Sequence, residues 1–222
     1  MTMKVSKVYV VMLVFTAVMM GFVSTSMAGG EGEGIFKAKK CSECHATSGP
    51  SKISTIEDWE KRKGPDLWFA GSKFNQAWLE AWLAAPTSIR GVKWNELDPN
   101  TEKHAALSGK EVHEVAEYLM SLKDSNAHSG SANQNVQKPQ GKLMFEKKNA
   151  CSACHQFKGG GKAMGGISGP SFVGGKDRLQ PDWVAAFLKD PNRYEPKGRM
   201  PNFSGLSDSD MGSLAGYFKF LE

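Results

Sequence analysis

The chain has 222 residues, with 28 Lys plus Arg against 23 Asp plus Glu and a formal net charge of +5. So small an excess gives no footing for a polyanion-binding role, and no nucleic-acid partner is expected. Length alone permits one or two domains.

The chain opens with a basic pair, Lys4 and Lys7, then an uncharged apolar run from Val8 to Val23, then Ser26-Met27-Ala28. That order is the signature of a secretory signal peptide over residues 1–28. The run is short for a full membrane span. Membrane contact is therefore expected only if the segment stays uncleaved as an anchor. Cleavage after Ala28 leaves 194 residues with a net charge of +3.

Cys41-Ser42-Glu43-Cys44-His45 comes next, and Cys151-Ser152-Ala153-Cys154-His155 repeats its pattern 110 residues on. C-x-x-C-H is the attachment signature of a c-type haem. Cys41 and Cys44, and Cys151 and Cys154, can each form a thioether with one haem vinyl group. His45 and His155 then lie where they can coordinate iron from the proximal side. A four-cysteine zinc site usually has its second pair some 15–20 residues after the first. A redox dithiol does not need the following histidine. Two covalently bound haem c groups are therefore expected, and no cysteine is left over for a disulfide or a catalytic thiol.

The rest of the chain reads as two copies of one unit. Gly32-x-x-x-Phe36 and Gly141-x-x-x-Phe145 precede the two motifs, and Gly64-Pro65 and Gly169-Pro170 follow them. Trp78 to Pro86 matches Trp183 to Pro191, and Leu107-Ser108 matches Leu206-Ser207. Val112, Val115, Ala116, Leu119 and Leu122 fall on one face at helical spacing. Ser108 and Ser207 stand at N-cap positions, with Glu111, Asp208 and Asp210 in the turns that follow. Pro86 and Pro191 stop the middle helices. No run of alternating strand residues stands out. The expected organisation is a signal peptide at 1–28, one domain at 29–124, a polar linker at 125–140 and a second domain at 141–222. Each domain is all-α, wrapped around one covalent haem that completes a core too small to stand alone.

This order of motifs resembles class I cytochromes c in tandem, as in dihaem cytochromes of the c4 type, over the whole mature chain. The resemblance implies a crossing of the first and last helices through Gly32, Phe36, Val115 and Tyr118, and through Gly141, Phe145, Leu214 and Tyr217. It implies that the carbonyls of Pro65 and Pro170 orient His45 and His155. It also places a methionine distal ligand in a Pro/Gly-rich loop, and Met200, in Arg199-Met200-Pro201, matches in the second unit. Met164 lies too near His155 to match, and Met211 reads as core.

The first unit departs from this pattern, because the corresponding count back from Tyr118 lands on Thr101. His104 is the expected distal ligand there, with Met120 or an open site as alternatives. His113 reads as a solvated helix residue and His128 as part of the linker. Arg90, Arg193 and Lys197 are candidate partners of haem propionates. Trp59, Trp68 and Trp94 are candidate haem-pocket packing. Lys37, Lys39, Lys40, Lys147, Lys148, Lys158 and Lys162 cluster beside the motifs and could steer an acidic partner or simply be solvated.

The resemblance implies a periplasmic carrier of single electrons between redox proteins, such as a donor dehydrogenase or reductase and an acceptor oxidase or reductase. No catalytic residues and no small-molecule substrate are expected. The alternatives are a dihaem subunit of a larger oxidoreductase, or a dihaem enzyme such as a peroxidase.

Overall fold

The computed structural model describes residues 30–93 and 97–221; the signal segment and Trp94 lie outside the described residues. The first unit runs through α1 (Gly30–Ala38), α2 (Ile56–Glu60), α3 (Ala70–Lys73), α4 (Gln76–Ala84) and α5 (Lys110–Ser121). The second runs through α6 (Lys138–Leu143), β1 (Phe157–Gly159), β2 (Lys162–Met164), α7 (Gly175–Arg178), α8 (Pro181–Lys189), α9 (Pro191–Tyr194) and α10 (Asp208–Gly216). Among the described residues no helix is long and apolar enough to cross a membrane.

In each unit the first and last helices cross at a glycine. A β-carbon on Gly32 would lie 1.9 Å from the Glu114 carbonyl oxygen, and one on Gly141 would lie 2.7 Å from the Tyr217 side chain. Only a residue without a side chain allows that approach. Beside the crossings, Phe36 meets Tyr118 edge to face at 5.6 Å, and Phe145 meets Tyr217 at 5.6 Å. Val115 and Leu214 are fully buried next to them.

Helix ends follow local chemistry. The Ser207 hydroxyl accepts from the Asp210 N–H and caps α10. Ser108 does not cap α5; Gly109, at φ 53°, takes the cap position, and the Glu111 carboxylate reaches back to the Ser108 N–H. α4 and α8 end just before Pro86 and Pro191, since the residue preceding a proline is pushed out of helical conformation.

Three features differ from expectation. A hairpin of β1 and β2 pairs Phe157 with Met164 and Gly159 with Lys162; its strands are three residues long, too short to show an alternating pattern. The polar segment 125–140 lies along the second unit. Asp182 accepts from the N–H groups of Gly130 and Ala132, Asn133 donates to the Gly212 carbonyl, and Val136 is buried. Trp59 and Trp68, expected only as haem-pocket packing, also stand at the seam between the units. Trp68 stacks on Tyr194 with ring centres 5.7 Å apart, and the Trp59 indole N–H donates to Glu195.

The units join through equivalent edges. The Asn75 N–H donates to the Arg178 carbonyl at 3.0 Å, and the Gln180 N–H donates to the Lys73 carbonyl at 2.9 Å. The Asn75 side-chain amide donates to the carbonyls of Lys176 and Asp177, and that of Gln180 to those of Gly71 and Phe74. Phe74 and Leu179 pair as an antiparallel bridge between them. Because these positions correspond in the internal repeat, the seam has approximate two-fold character. Four aromatic rings fill it, with Phe69 stacked on Trp183 at 5.8 Å beside the Trp68–Tyr194 pair.

Candidate haem sites and the seam between them

Both C-x-x-C-H motifs form the same tight helical turn. The N–H groups of His45 and His155 each donate to the carbonyl of the motif's first cysteine at 3.0 Å. The residue before each turn is left-handed, with Lys40 at φ 61° and Ala150 at φ 49°. Such a conformation is costly for a residue with a β-carbon, and it recurs at the same place in both units. Nothing in the residue types signals it. Burial raises the Cys41 thiol pKa and pushes that of Cys151 up to about 11, while Cys44 and Cys154 are exposed.

The two proximal histidines are held alike. Nδ1 of His45 lies 2.8 Å from the Pro65 carbonyl oxygen, and Nδ1 of His155 lies 2.8 Å from that of Pro170. An Nδ1–H donated to a carbonyl leaves Nε2 as the free lone pair. Burial lowers both imidazole pKa values, which favours the neutral, ligating form. The glycines ahead of the prolines have a separate reason. A β-carbon on Gly64 would come within 2.6 Å of His45 Cε1, and one on Gly169 within 2.7 Å of His155 Cε1. Phe172 stacks on the His155 ring at 4.2 Å.

The distal loops are pinned by the same bond. In the first unit the Leu107 N–H donates to the Leu83 carbonyl at 2.9 Å; in the second the Phe203 N–H donates to the Leu188 carbonyl at 3.0 Å. Leu83 and Leu188 correspond in the repeat. His104 and Met200 each stand three residues before the pinned N–H, so they occupy equivalent positions. Aligning Leu107 with Leu206 on sequence misses this, and it explains why counting back from Tyr118 reaches Thr101. His104 faces His45 with ring centres 6.0 Å apart, and its own Nδ1 lies 2.8 Å from the Ala105 carbonyl oxygen. A histidine–metal bond is about 2 Å, with the ring centre about 1 Å farther back, so two imidazoles on opposite sides of one metal have centres roughly 6 Å apart. Trp82 packs against His104 at 4.6 Å.

Met200 is half-buried in its loop and packs against the core. The other candidates stand elsewhere. Met164 is exposed on β2, on the side of the motif backbone, where Gly165 approaches the His155 carbonyl. Met211 is core. The Met120 backbone packs against Gly71, His113 pairs with Glu80 at 3.1 Å, and His128 is exposed in the segment ahead of α6.

The seam supplies an independent test of fit for haem. The indole N–H groups of Trp68 and Trp183 are buried with no acceptor, as are Nε and one terminal nitrogen of Arg62. Buried donors left unpaired are rare and costly. Haem propionate carboxylates would satisfy them. Of the arginines expected to serve propionates, Arg193 is committed elsewhere. Its Nε and Nη2 donate to the two Asp124 oxygens at 3.1 and 2.8 Å, and Tyr194 donates to the same carboxylate at 2.6 Å. Arg90 donates to the Ser168 carbonyl at 2.8 Å, and Lys197 is an exposed left-handed residue. Arg62, which reaches across to Glu195, carries no local sequence signal, because its partner lies far away in the chain.

Comparison with known families agrees with this geometry. The family model described as Cytochrome c matches residues 30–123, and that described as Cytochrome C oxidase, cbb3-type, subunit III matches residues 137–218. Neither the curated proteins nor the solved structures gave a match. The chain therefore consists of two tandem cytochrome c domains, each for one covalent haem c, in an electron-transfer protein.

Proposed function

We propose that the protein is an exported, periplasmic dihaem carrier of the c4 type, passing single electrons between redox proteins without chemistry on a small-molecule substrate. In this reading the two haems have different distal ligands, His104 in the first unit and Met200 in the second. The observation that carries it is the shared pin of the distal loops, together with the 6.0 Å between the His45 and His104 rings.

When bound, each haem iron takes up and returns one electron; the protein sets where that electron is stable. The Pro65 and Pro170 carbonyls fix the tautomer of His45 and His155 and raise their basicity. The Ala105 carbonyl does the same for His104. An imidazole is a stronger donor than a thioether, so His104 favours the oxidised state of the first unit and Met200 the reduced state of the second. The stacked rings at the seam exclude water between the sites, and the equivalent backbone bonds hold the units in one register.

The test is direct. Intact mass of the mature holoprotein should show two haems and loss of residues 1–28, and each haem should cycle reversibly by one electron with no turnover of hydrogen peroxide. Peroxide turnover, or one haem per chain, would overturn the reading.

A further inference from the structure

The two motif faces differ in what surrounds them. Beside the first, Lys37 pairs with Glu33, Lys39 with Glu111 and Lys40 with Glu43. Beside the second, Lys147, Lys148, Lys158 and Lys162 are all exposed. None of these four has a carboxylate within ion-pair distance among the described residues; the nearby Glu146 is taken by Lys142. A lysine whose charge is cancelled on its own surface contributes little to an approaching partner's field, whereas four uncancelled ones in one region do.

Lys162 shares a face of the hairpin with the exposed Met164, and Lys158, paired with Ala163, stands on its other face. Lys147 and Lys148 lead into the Cys151 turn. Lys158 and Lys162 stand on β1 and β2, either side of the Gly160-Gly161 bend. The hairpin is fixed to the motif: the Gly166 N–H donates to the Ser152 carbonyl at 2.9 Å, and a β-carbon on Gly166 would lie 1.9 Å from the Ala153 carbonyl oxygen. Behind it, the Phe157 ring is buried, with Lys142 6.0 Å from its centre. The same loop leaves Met164 and Ile167 exposed, at 51% and 46% of their surface. The first unit has no such hairpin between its motif and Gly64-Pro65. An apolar centre with a charged rim is the make-up of a protein-binding surface, and a flexible thioether suits brief contact with more than one shape.

We infer that the hairpin face of the second unit is the docking surface for an acidic redox protein, with Met164 and Ile167 as its apolar centre and Lys147, Lys148, Lys158 and Lys162 as its cationic rim. This rests on the carrier reading and adds to it which unit meets that partner and what the partner carries: carboxylates around a small apolar patch. The docking itself forms no bond; one electron passes between the partner's metal and the second haem, the one reduced as the other is oxidised. On the first unit's face Lys37, Lys39 and Lys40 are paired, and the exposed Lys52, Lys61 and Lys63 share their segment with the exposed acids Glu57, Asp58 and Glu60, whereas residues 147–169 carry no acid, so the net attraction is weaker on the first face.

The test uses the reduced holoprotein in stopped-flow oxidation by two probes, an acidic blue-copper protein and the small anion hexacyanoferrate(III), over a range of salt. Replacing all four rim lysines by glutamate should slow the blue-copper reaction more than tenfold and flatten its salt dependence. The triple change Lys37→Glu, Lys39→Glu, Lys40→Glu should alter it less than twofold. Met164→Ser with Ile167→Ser should slow the blue-copper protein several-fold and leave hexacyanoferrate(III) unchanged. Equal slowing by the two lysine sets, or none from either, overturns the docking surface while leaving the carrier reading intact. Failure of the wild type to pass electrons to either probe would instead overturn the carrier reading.

Discussion

Asp124 is the best place to probe how the two units hold together. Its side chain is 1% exposed, and it accepts from Arg193 Nε and Nη2, from the Tyr194 hydroxyl and from the Asn126 N–H. Removing the carboxylate in Asp124→Ala leaves a buried phenol and a guanidinium without their acceptor. Breaking a fully buried pair costs about 3–5 kcal/mol. The Arg193 side chain is 25% exposed, and water recovers part of that, so about 2–4 kcal/mol is expected. For a chain of this size that lowers the melting temperature by roughly 5–12 °C.

The assay is thermal unfolding of the oxidised holoprotein followed by Soret circular dichroism. Replacing the group with apolar equivalents, Asp124→Leu with Arg193→Met and Tyr194→Phe, should recover much of the loss, since no charge or phenol is then stranded. The pH dependence has a defined sign. Burial pushes the Asp124 carboxyl up, but the hydrogen bonds from Arg193 and Tyr194 outweigh it and hold the group below the usual carboxylate range. Its contribution is therefore complete above about pH 4 and is lost as the pH falls through the lower folded value. The gap between wild type and Asp124→Ala should narrow accordingly in acid. A melting point within 1 °C of wild type at neutral pH, or a triple variant no better than the single one, would refute the reasoning.

Gly64→Ala and Gly169→Ala should each drive a β-carbon into the proximal imidazole. Haem-loaded yield should fall several-fold and high-spin signal appear in the affected unit, whereas Gly34→Ala, whose β-carbon meets open space, should be harmless or stabilise α1 by up to about 1 kcal/mol. Ala150→Gly should relieve the left-handed strain before the second motif and raise stability by about 1 kcal/mol, read as a higher unfolding midpoint; a lower one would show that the turn is not strained. Met200→Ala should abolish the weak far-red band of thioether-ligated ferric haem, and survival of that band would move the ligand to another methionine.

Much of the site is legible in sequence because its chemistry is local. C-x-x-C-H places two thiols and an imidazole within five residues; the Gly-Pro carbonyl that orients that imidazole is legible only through the resemblance to class I cytochromes c. The helix crossings are likewise legible through that resemblance, on the repeated Gly-x-x-x-Phe of Gly32 and Gly141 and the aromatics Tyr118 and Tyr217 of the partner helices.

What stays hidden depends on contacts remote in the chain. The bond from Leu107 to Leu83 that aligns His104 with Met200 spans a loop whose length differs between the units. Trp59 and Trp68 read as haem-pocket packing alone; that they also stand at the seam, with Glu195 and Tyr194 as partners, leaves no signal in the sequence. Arg193 reads as a free cation until Asp124, at the end of the first unit, is brought against it.

The central claim is that one fold, used twice, holds two haems at different potentials through His104 and Met200. Spectroelectrochemical titration of the holoprotein tests it most directly. The account predicts two separate one-electron waves, the lower assigned to the first unit. Axial ligands span about 0.8 V across haem proteins, enough to exceed small effects of charge and exposure. His104→Met should draw the two waves together, while His113→Gln and Met120→Leu should leave them nearly unmoved. Coincident waves in the wild type, or a high-spin first haem in its electron paramagnetic resonance spectrum, would contradict it.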